Sequence, residues 1–258
     1  MSSSVSHGLF TWYWLADRCA QEGIPFVLGH ALYMKAIHAG KAKNDQIDSQ
    51  KIAARLRGGM LPQAYVYPAA MRATRDLLRR RMHLARTRAE LLAHVQHTNS
   101  QDHLPAIGKK IADKANREGV AERLADPAVH KSIEVDLARI SSYDALLRAV
   151  ELTLRKTAKH HDAHTLYLLQ TVPGIGKLLS LVLRYEIHAI NRFPTVQDVV
   201  SSCRLVTWAQ ESAGKRLGTS GTTIGNAHLT GAFSAAAVLF RRDHPPAQQV
   251  PRPVGEKA

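Results

Sequence analysis

The chain has 258 residues, and 35 Lys and Arg against 21 Asp and Glu give a formal net charge of +14. That balance points to a polyanionic partner, because Lys and Arg displace the counterions condensed on phosphates, and a hydrophobic content of 45% excludes a wholly disordered chain. Two cysteines exclude a disulfide scaffold and fit a reducing compartment, no apolar run approaches the roughly 20 residues that span a bilayer, and Met1 to Gly8 lacks the basic-then-apolar pattern of an export signal.

Residues 11–22 read as a helix with Leu15, Ala16, Cys19 and Ala20 on one face and Gly23 as its stop. Residues 24–28 are short, apolar and partly β-branched, and predict a buried strand. Residues 45–56 predict a helix closed by Gly58-Gly59, and residues 63–67 a second strand closed by Pro68. This order predicts an α/β layer, incomplete because two strands make a poor sheet, with further strands expected in front of residue 1. Residues 70–99 hold no Pro or Gly and predict one long helix, in which Leu77, Leu84 and Leu91 repeat every seven residues. Residues 132–164 predict a second, with Ile133, Leu137, Ile140, Leu147, Val150 and Leu154 at seam spacing. The polar stretch 100–131 is broken by Pro105, Gly108, Gly119 and Pro127, so an antiparallel coiled-coil hairpin is expected. A compact helical unit follows over 166–242, and the proline-rich 243–258 reads as a disordered tail. The fold class expected is therefore α/β plus mostly α, with domains at 1–68, 69–165 and 166–242.

Asp45 and Asp48 lie at i and i+3, which puts both carboxylates on one helix face. They suit Mg²⁺, which favours carboxylate oxygen, or they complement the helix dipole as first-turn acids. Seven arginines fall between residues 72 and 88, and Arg72, Arg75, Arg79 and Arg86 form one stripe suited to a phosphate backbone. A solvated coiled-coil flank is the alternative. Val172-Pro173-Gly174-Ile175-Gly176-Lys177 sits between two helical patterns, as in a helix-hairpin-helix. Its glycines let backbone N–H groups approach a phosphate and Lys177 adds charge. Residues 211–221, with Ser212, Lys215, Arg216 and Ser220, read as a basic Gly/Ser-rich loop. No His or Asp partner stands nearby to activate either serine. His160, His161, Asp162 and His164 lack the HExxH pattern and read as a solvated helix end.

Taken in order, Lys43-Asn44-Asp45-Gln46-Ile47-Asp48-Ser49, the Arg-rich 71–81 helix, Val172-Pro173-Gly174-Ile175-Gly176, Glu186-Ile187-His188-Ala189-Ile190-Asn191-Arg192-Phe193, Ser212-Ala213-Gly214 and Ile224-Gly225-Asn226 resemble the DEDD transposases of the insertion-sequence one-ten family, relatives of pilin-gene invertases. The resemblance extends over residues 10–243. It implies a RuvC-like (ribonuclease H-like) N-terminal domain, a coiled coil and a C-terminal transposase domain. It also implies an Asp-Glu-Asp-Asp set holding Mg²⁺, whose last two members match Asp45 and Asp48. It further implies a serine nucleophile acting on DNA, matched by Ser212 with Ser220 as the weaker candidate. The residues read above as DNA contacts are Arg72, Arg75, Arg79, Arg86, Pro173, Gly174, Ile175, Gly176, Lys177, Lys215 and Arg216. A structured guide RNA goes with the resemblance; the Leu77, Leu84 and Leu91 repeats add an expected homo-oligomer, and a prokaryotic cytoplasmic, nucleoid-associated location without a membrane is expected. The chain departs from the pattern at the first Asp, whose strand has no counterpart, and at the Glu, whose place ahead of Trp12-Tyr13-Trp14 is taken by His7. Asp17 on the following helix is a poor substitute, and the match ends near His244. A truncated, catalytically impaired copy is the resulting expectation, with a non-catalytic nucleic-acid-binding relic as the alternative. An RNA-binding coiled-coil adaptor is the third reading.

Overall fold

Most of the chain is helical, and the computed structural model describes residues 4–7, 12–30, 33–34, 44–107, 110–206, 208–212, 215–220 and 225–243. Two compact units divide it, one of residues 1–72 with 182–258 and the other of residues 73–181.

In the first unit, β1 (Ser4–His7) and β2 (Phe26–Gly29) pair in parallel, with Ser4 opposite Phe26 and His7 opposite Gly29. A parallel pair needs a crossover, and α1 (Trp12–Gln21) provides it. Ala16 and Cys19 are buried, as the apolar stripe predicts, and Gly23 takes φ +65° where the chain reverses. Strand β1 was not foreseen, because its sequence is polar and short. Residues 63–67 do not form the expected strand. One antiparallel bridge, Gly29 to Gln63, is flanked by bonds from His30 N–H to Pro62 O and Ala64 N–H to Leu28 O. Pro62 and Pro68 have no N–H to extend a ladder, and the Tyr67 carbonyl accepts from Arg72 Nε at 2.7 Å instead. Helix α2 (Asp45–Arg57) starts on Asn44, whose side chain accepts from Gln46 N–H at 2.9 Å, and ends at Gly58.

Helix α3 (Ala69–Gln101) continues into the second unit, where it meets α4 (Pro127–Thr171). Ion pairs from Arg81 to Glu151, Arg88 to Asp144 and His94 to Asp136 advance along one helix and recede along the other, so the two run antiparallel. Leu78, Ile133, Ile140 and Leu154 are fully buried along them, each contributing about 1.5–3 kcal/mol of transfer free energy. Two boundaries differ from expectation. Helix α4 begins at Pro127, because the Asp126 carboxylate accepts from Ala128 and Val129 N–H and Pro suits the first helical turn. It breaks at Asp162, whose φ of −170° is extended and whose carboxylate accepts from Thr165 N–H. Asp162 therefore caps the segment that follows, which accounts for the acid inside the His-rich run.

The stretch read as a polar connection is also more than a linker. Ile111, Val120, Ala121 and Leu124 are buried with Val95, Ile133 and Ile140 in one apolar cluster. Arg117 is buried among them, donating to the Ile111 and Ala112 carbonyls and to Asp144. Arg123 donates to the Pro105 carbonyl.

The remaining elements are α5 (Lys177–Ile187), α6 (Val196–Ser202), β3 (Trp208–Ser212), β4 (Lys215–Ser220) and α7 (Ala227–Asp243). The predicted tail, from residue 244 on, lies outside the described residues.

Candidate catalytic loop and nucleic-acid interface

Residues 211–212 and 215–220 form strands where their Gly and Ser content suggests a loop. Strands β3 and β4 pair antiparallel, with Trp208 opposite Ser220, Glu211 opposite Arg216 and Ser212 opposite Lys215. The register slips between Gln210 and Glu211. Ser212 thus stands at the tip, with Lys215 and Arg216 beside it on the returning strand, and Ser220 at the base. The two serine candidates are separated by the length of the hairpin, and Ala213-Gly214 at the turn lie outside the described residues.

The residues that flank this hairpin carry roles the sequence did not reveal. The Glu186 side chain is fully buried and its Oε2 accepts from Asn226 Nδ2 at 2.7 Å. Asn226 Oδ1 caps α7 by accepting from His228 and Leu229 N–H, and Asn226 N–H donates to the Ser202 carbonyl. Thr230 Oγ1 donates to the Cys203 carbonyl at 2.8 Å. Gly225 adopts φ +121°, and a Cβ there would lie 2.8 Å from the Ser202 carbonyl oxygen. Residues before the hairpin, Ser202 and Cys203, and after it, Gly225 and Asn226, therefore meet at one junction of α5, α6 and α7. An Asn before a helix was a readable cap, but its pairing with Glu186, 40 positions away, was not.

Next to it, Tyr67 Oη donates to the Glu186 carbonyl at 2.6 Å, and Tyr65 Oη lies 2.6 Å from His188 Nδ1. The Arg192 guanidinium stacks 4.1 Å from the Tyr65 ring centroid and 4.5 Å from that of Phe193. Burial, and then the charges of Arg184 and Arg192, hold His188 below the ordinary imidazole pKa. Both effects favour the neutral imidazole.

Asp45 and Asp48 occupy the first turn of α2, as predicted, and Asp48 N–H donates to the Asn44 carbonyl at 2.9 Å. Among the described residues no three His, Cys, Asp or Glu side chains gather as a metal centre. The four residues of β1 carry no carboxylate, and Asp17 is 2.7 Å from Arg72 Nη1. The donor set on these elements does not fit the two Mg²⁺ ions that the resemblance implies, because Mg²⁺ demands a near-octahedral oxygen shell. A cleft of about 370 Å³ adjoins that ion pair, but Ala16, Ala20, Ile24, Phe26 and Val66 make its wall apolar.

The arginine stripe separates into internal and surface members. Arg72 is buried, donating to the Tyr67 and Tyr13 carbonyls and pairing with Asp17, and its Cζ lies 4.9 Å from the Trp12 and Tyr13 ring centroids. Arg81 and Arg88 pair across the helices. Arg75 and Arg79 are half-buried, and Arg86 is exposed, 3.9 Å from Glu90.

Residues 172–176 form a turn between α4 and α5. Pro173 and Gly174 are its central positions, with Gly174 at φ +86° and Ile175 N–H donating to the Val172 carbonyl. This is a type II turn, which requires Gly at its third position. Helix α5 follows at once, with Gly176 O accepting from Ser180 N–H. Gln170 Nε2 donates to the buried Ser180 Oγ, tying the two helices together. Pro173, Gly176 and Lys177 are exposed at a helix start, where the dipole favours anions.

No helix among the described residues is long and apolar enough to cross a membrane. No curated protein matches the chain. Residues 166–250, about a third of the chain, match the model of the Transposase IS116/IS110/IS902 family. That segment carries α5, α6, the β3–β4 hairpin and α7, so this part of the chain is similar to that transposase family, which supports a role in transposition and contact with DNA.

Proposed function

We propose that the chain is a DNA-binding recombination protein of the transposase type, in which Ser212 is the nucleophile candidate. The observation that carries this reading is the coincidence of the family match over 166–250 with a hairpin that sets Ser212 at its tip beside Lys215 and Arg216. A serine hydroxyl attacking a phosphodiester needs cations where negative charge develops, and those two residues lie on the adjacent strand. The exposed 173–177 turn adds a contact that is independent of base sequence. Arg75, Arg79 and Arg86 add charge, and Arg72 serves the N-terminal packing instead. The parallel β1–β2 pair with α1 supports reading the N-terminal segment as part of a RuvC-like layer. The paired α3 and α4 support reading the middle as a coiled coil. A guide RNA and self-association are part of the proposal.

Catalysis by this chain is proposed to be weak. Among the described residues no three side chains gather as the oxygen shell that Mg²⁺ requires, and His7 is a poor Mg²⁺ ligand because imidazole suits softer metals. Gel-shift and strand-cleavage assays test the two parts separately. DNA shifted without cleavage is expected. Failure to shift DNA would overturn the reading as a whole.

A further inference from the structure

The ion pairs between α3 and α4 fix which sides of the two helices face the same way. At about 100° per residue, Arg75, Arg79 and Arg86 cluster about 140° around α3 from Arg81. In the same rotational sense, Arg148, Arg155 and Lys159 cluster about 60° around α4 from Glu151, the partner of Arg81. Two antiparallel right-handed helices show the same rotational sense on the same side of their seam. His94 and Asp136, which also pair, lie in the opposite sense from Arg81 and Glu151, and so close the other side. Carrying the 81 to 151 and 88 to 144 pairings along the helices sets Arg148 level with position 84 and Lys159 level with position 73. Both rows of cations therefore cover one stretch, about 16 Å long.

We propose that this face, formed by Arg75, Arg79 and Arg86 of α3 with Arg148, Arg155 and Lys159 of α4, is a saddle for the phosphate backbone of duplex DNA. The proposal rests on the DNA-binding reading above and adds to it the α4 row. Arg86, Arg148, Arg155 and Lys159 are exposed, and Arg75 and Arg79 are half-buried. Glu151 pairs with Arg81, and Asp144 with Arg88 and Arg117. Arg155 Nε donates to the Glu151 carbonyl, which holds the side chain along its own helix. Glu90 meets only Arg86 on this face, at 3.9 Å between two exposed side chains, a pair of little strength. Residues 73–86 and 146–159 contain no Phe, Tyr, Trp, Asn or Gln. The face thus has no aromatic platform for single-strand bases and no amide to read adenine. What it offers is charge along a line, which a duplex backbone matches.

The test is the salt dependence of binding of the full chain to a duplex DNA of mixed sequence. The Arg148→Gln/Arg155→Gln/Lys159→Gln variant is compared with Arg80→Gln/Arg139→Gln, whose exposed side chains lie on the opposite side. Thermal melting checks that both variants fold. The α4 variant is expected to bind about tenfold or more weakly and to lower the slope of log K against log salt by about 2–3, near 0.9 for each lost phosphate contact. The control keeps the slope of the unmodified chain. An unchanged slope in the folded α4 variant, or an equal loss in the control, overturns the saddle while leaving the DNA-binding reading in place. A loss seen only with duplex RNA overturns DNA as the occupant. If the unmodified chain does not bind duplex DNA, the reading beneath the proposal fails with it.

Discussion

Asp144 holds two arginines at once, with Arg88 Nε and Arg117 Nη2 each 2.6 Å from its oxygens. Burial pushes its carboxyl pKa up, but the hydrogen bonds and charge of Arg117 and Arg88 outweigh burial and hold it below the ordinary range. The stability it lends is present above the ordinary carboxyl pKa and lost as pH falls through the lowered one. Asp144→Ala leaves the buried Arg117 short of its counter-ion and should cost about 3 kcal/mol, measured by urea unfolding at pH 7. His188 behaves oppositely in kind but shares the sign. Its lowered pKa means that the unfolded chain binds more protons near pH 6, so stability rises with pH there. His30, lowered by burial against an opposing backbone hydrogen bond, adds in the same direction. The melting temperature should fall between pH 7.5 and 5.5, and less so in His188→Asn, since Asn tolerates the φ of +63° at that position. Gly225→Ala forces a Cβ against the Ser202 carbonyl at a φ that L residues rarely adopt. A loss of about 2 kcal/mol is expected by the same unfolding measurement, with weakened docking of α7.

At the scale of elements, what the sequence revealed depended on how local each signal was. The long helices were legible because seven-residue repeats and the lack of Pro or Gly are properties of the segment itself. Their ends depended on single caps, Asp126 and Asp162, which look like any surface acid until their backbone partners are seen. Strand β1 is polar and becomes a strand only by pairing with β2. Residues 63–67 have strand composition, yet a flanking proline pair prevents a ladder. The β3–β4 hairpin was hidden by its Gly and Ser content, and the register that sets Ser212 at the tip and Ser220 at the base is set by cross-strand bonds. Within the arginine run, no periodicity told Arg72 from Arg86. The first is buried on Tyr13, Asp17 and Tyr67, and the second is exposed. Leu154 is fully buried in the long helix that carries the seam, so Leu154→Ala should destabilise the chain by about 3 kcal/mol in calorimetry or urea unfolding. Val135→Ala on the same helix, half exposed, should cost little.

At the scale of the whole molecule, a +14 chain carries a transposase-like segment and two acids in the first turn of α2, and among the described residues no three metal-ligating side chains gather. Holding DNA and cutting it make separate demands. Holding needs only cations on rigid elements, which the helical hairpin and the 173–177 turn supply. Cutting, in the reading proposed above, needs an activated Ser212 and a full set of Mg²⁺ ligands. The deciding measurement is strand cleavage of bound duplex DNA with Mg²⁺, run on this chain and on its Ser212→Ala, Asp48→Ala and His7→Glu variants. The account predicts binding by all four and no cleavage by the chain itself above the Ser212→Ala level. Cleavage by the chain that disappears in both Ser212→Ala and Asp48→Ala would contradict it, by showing that the carboxylates present already suffice.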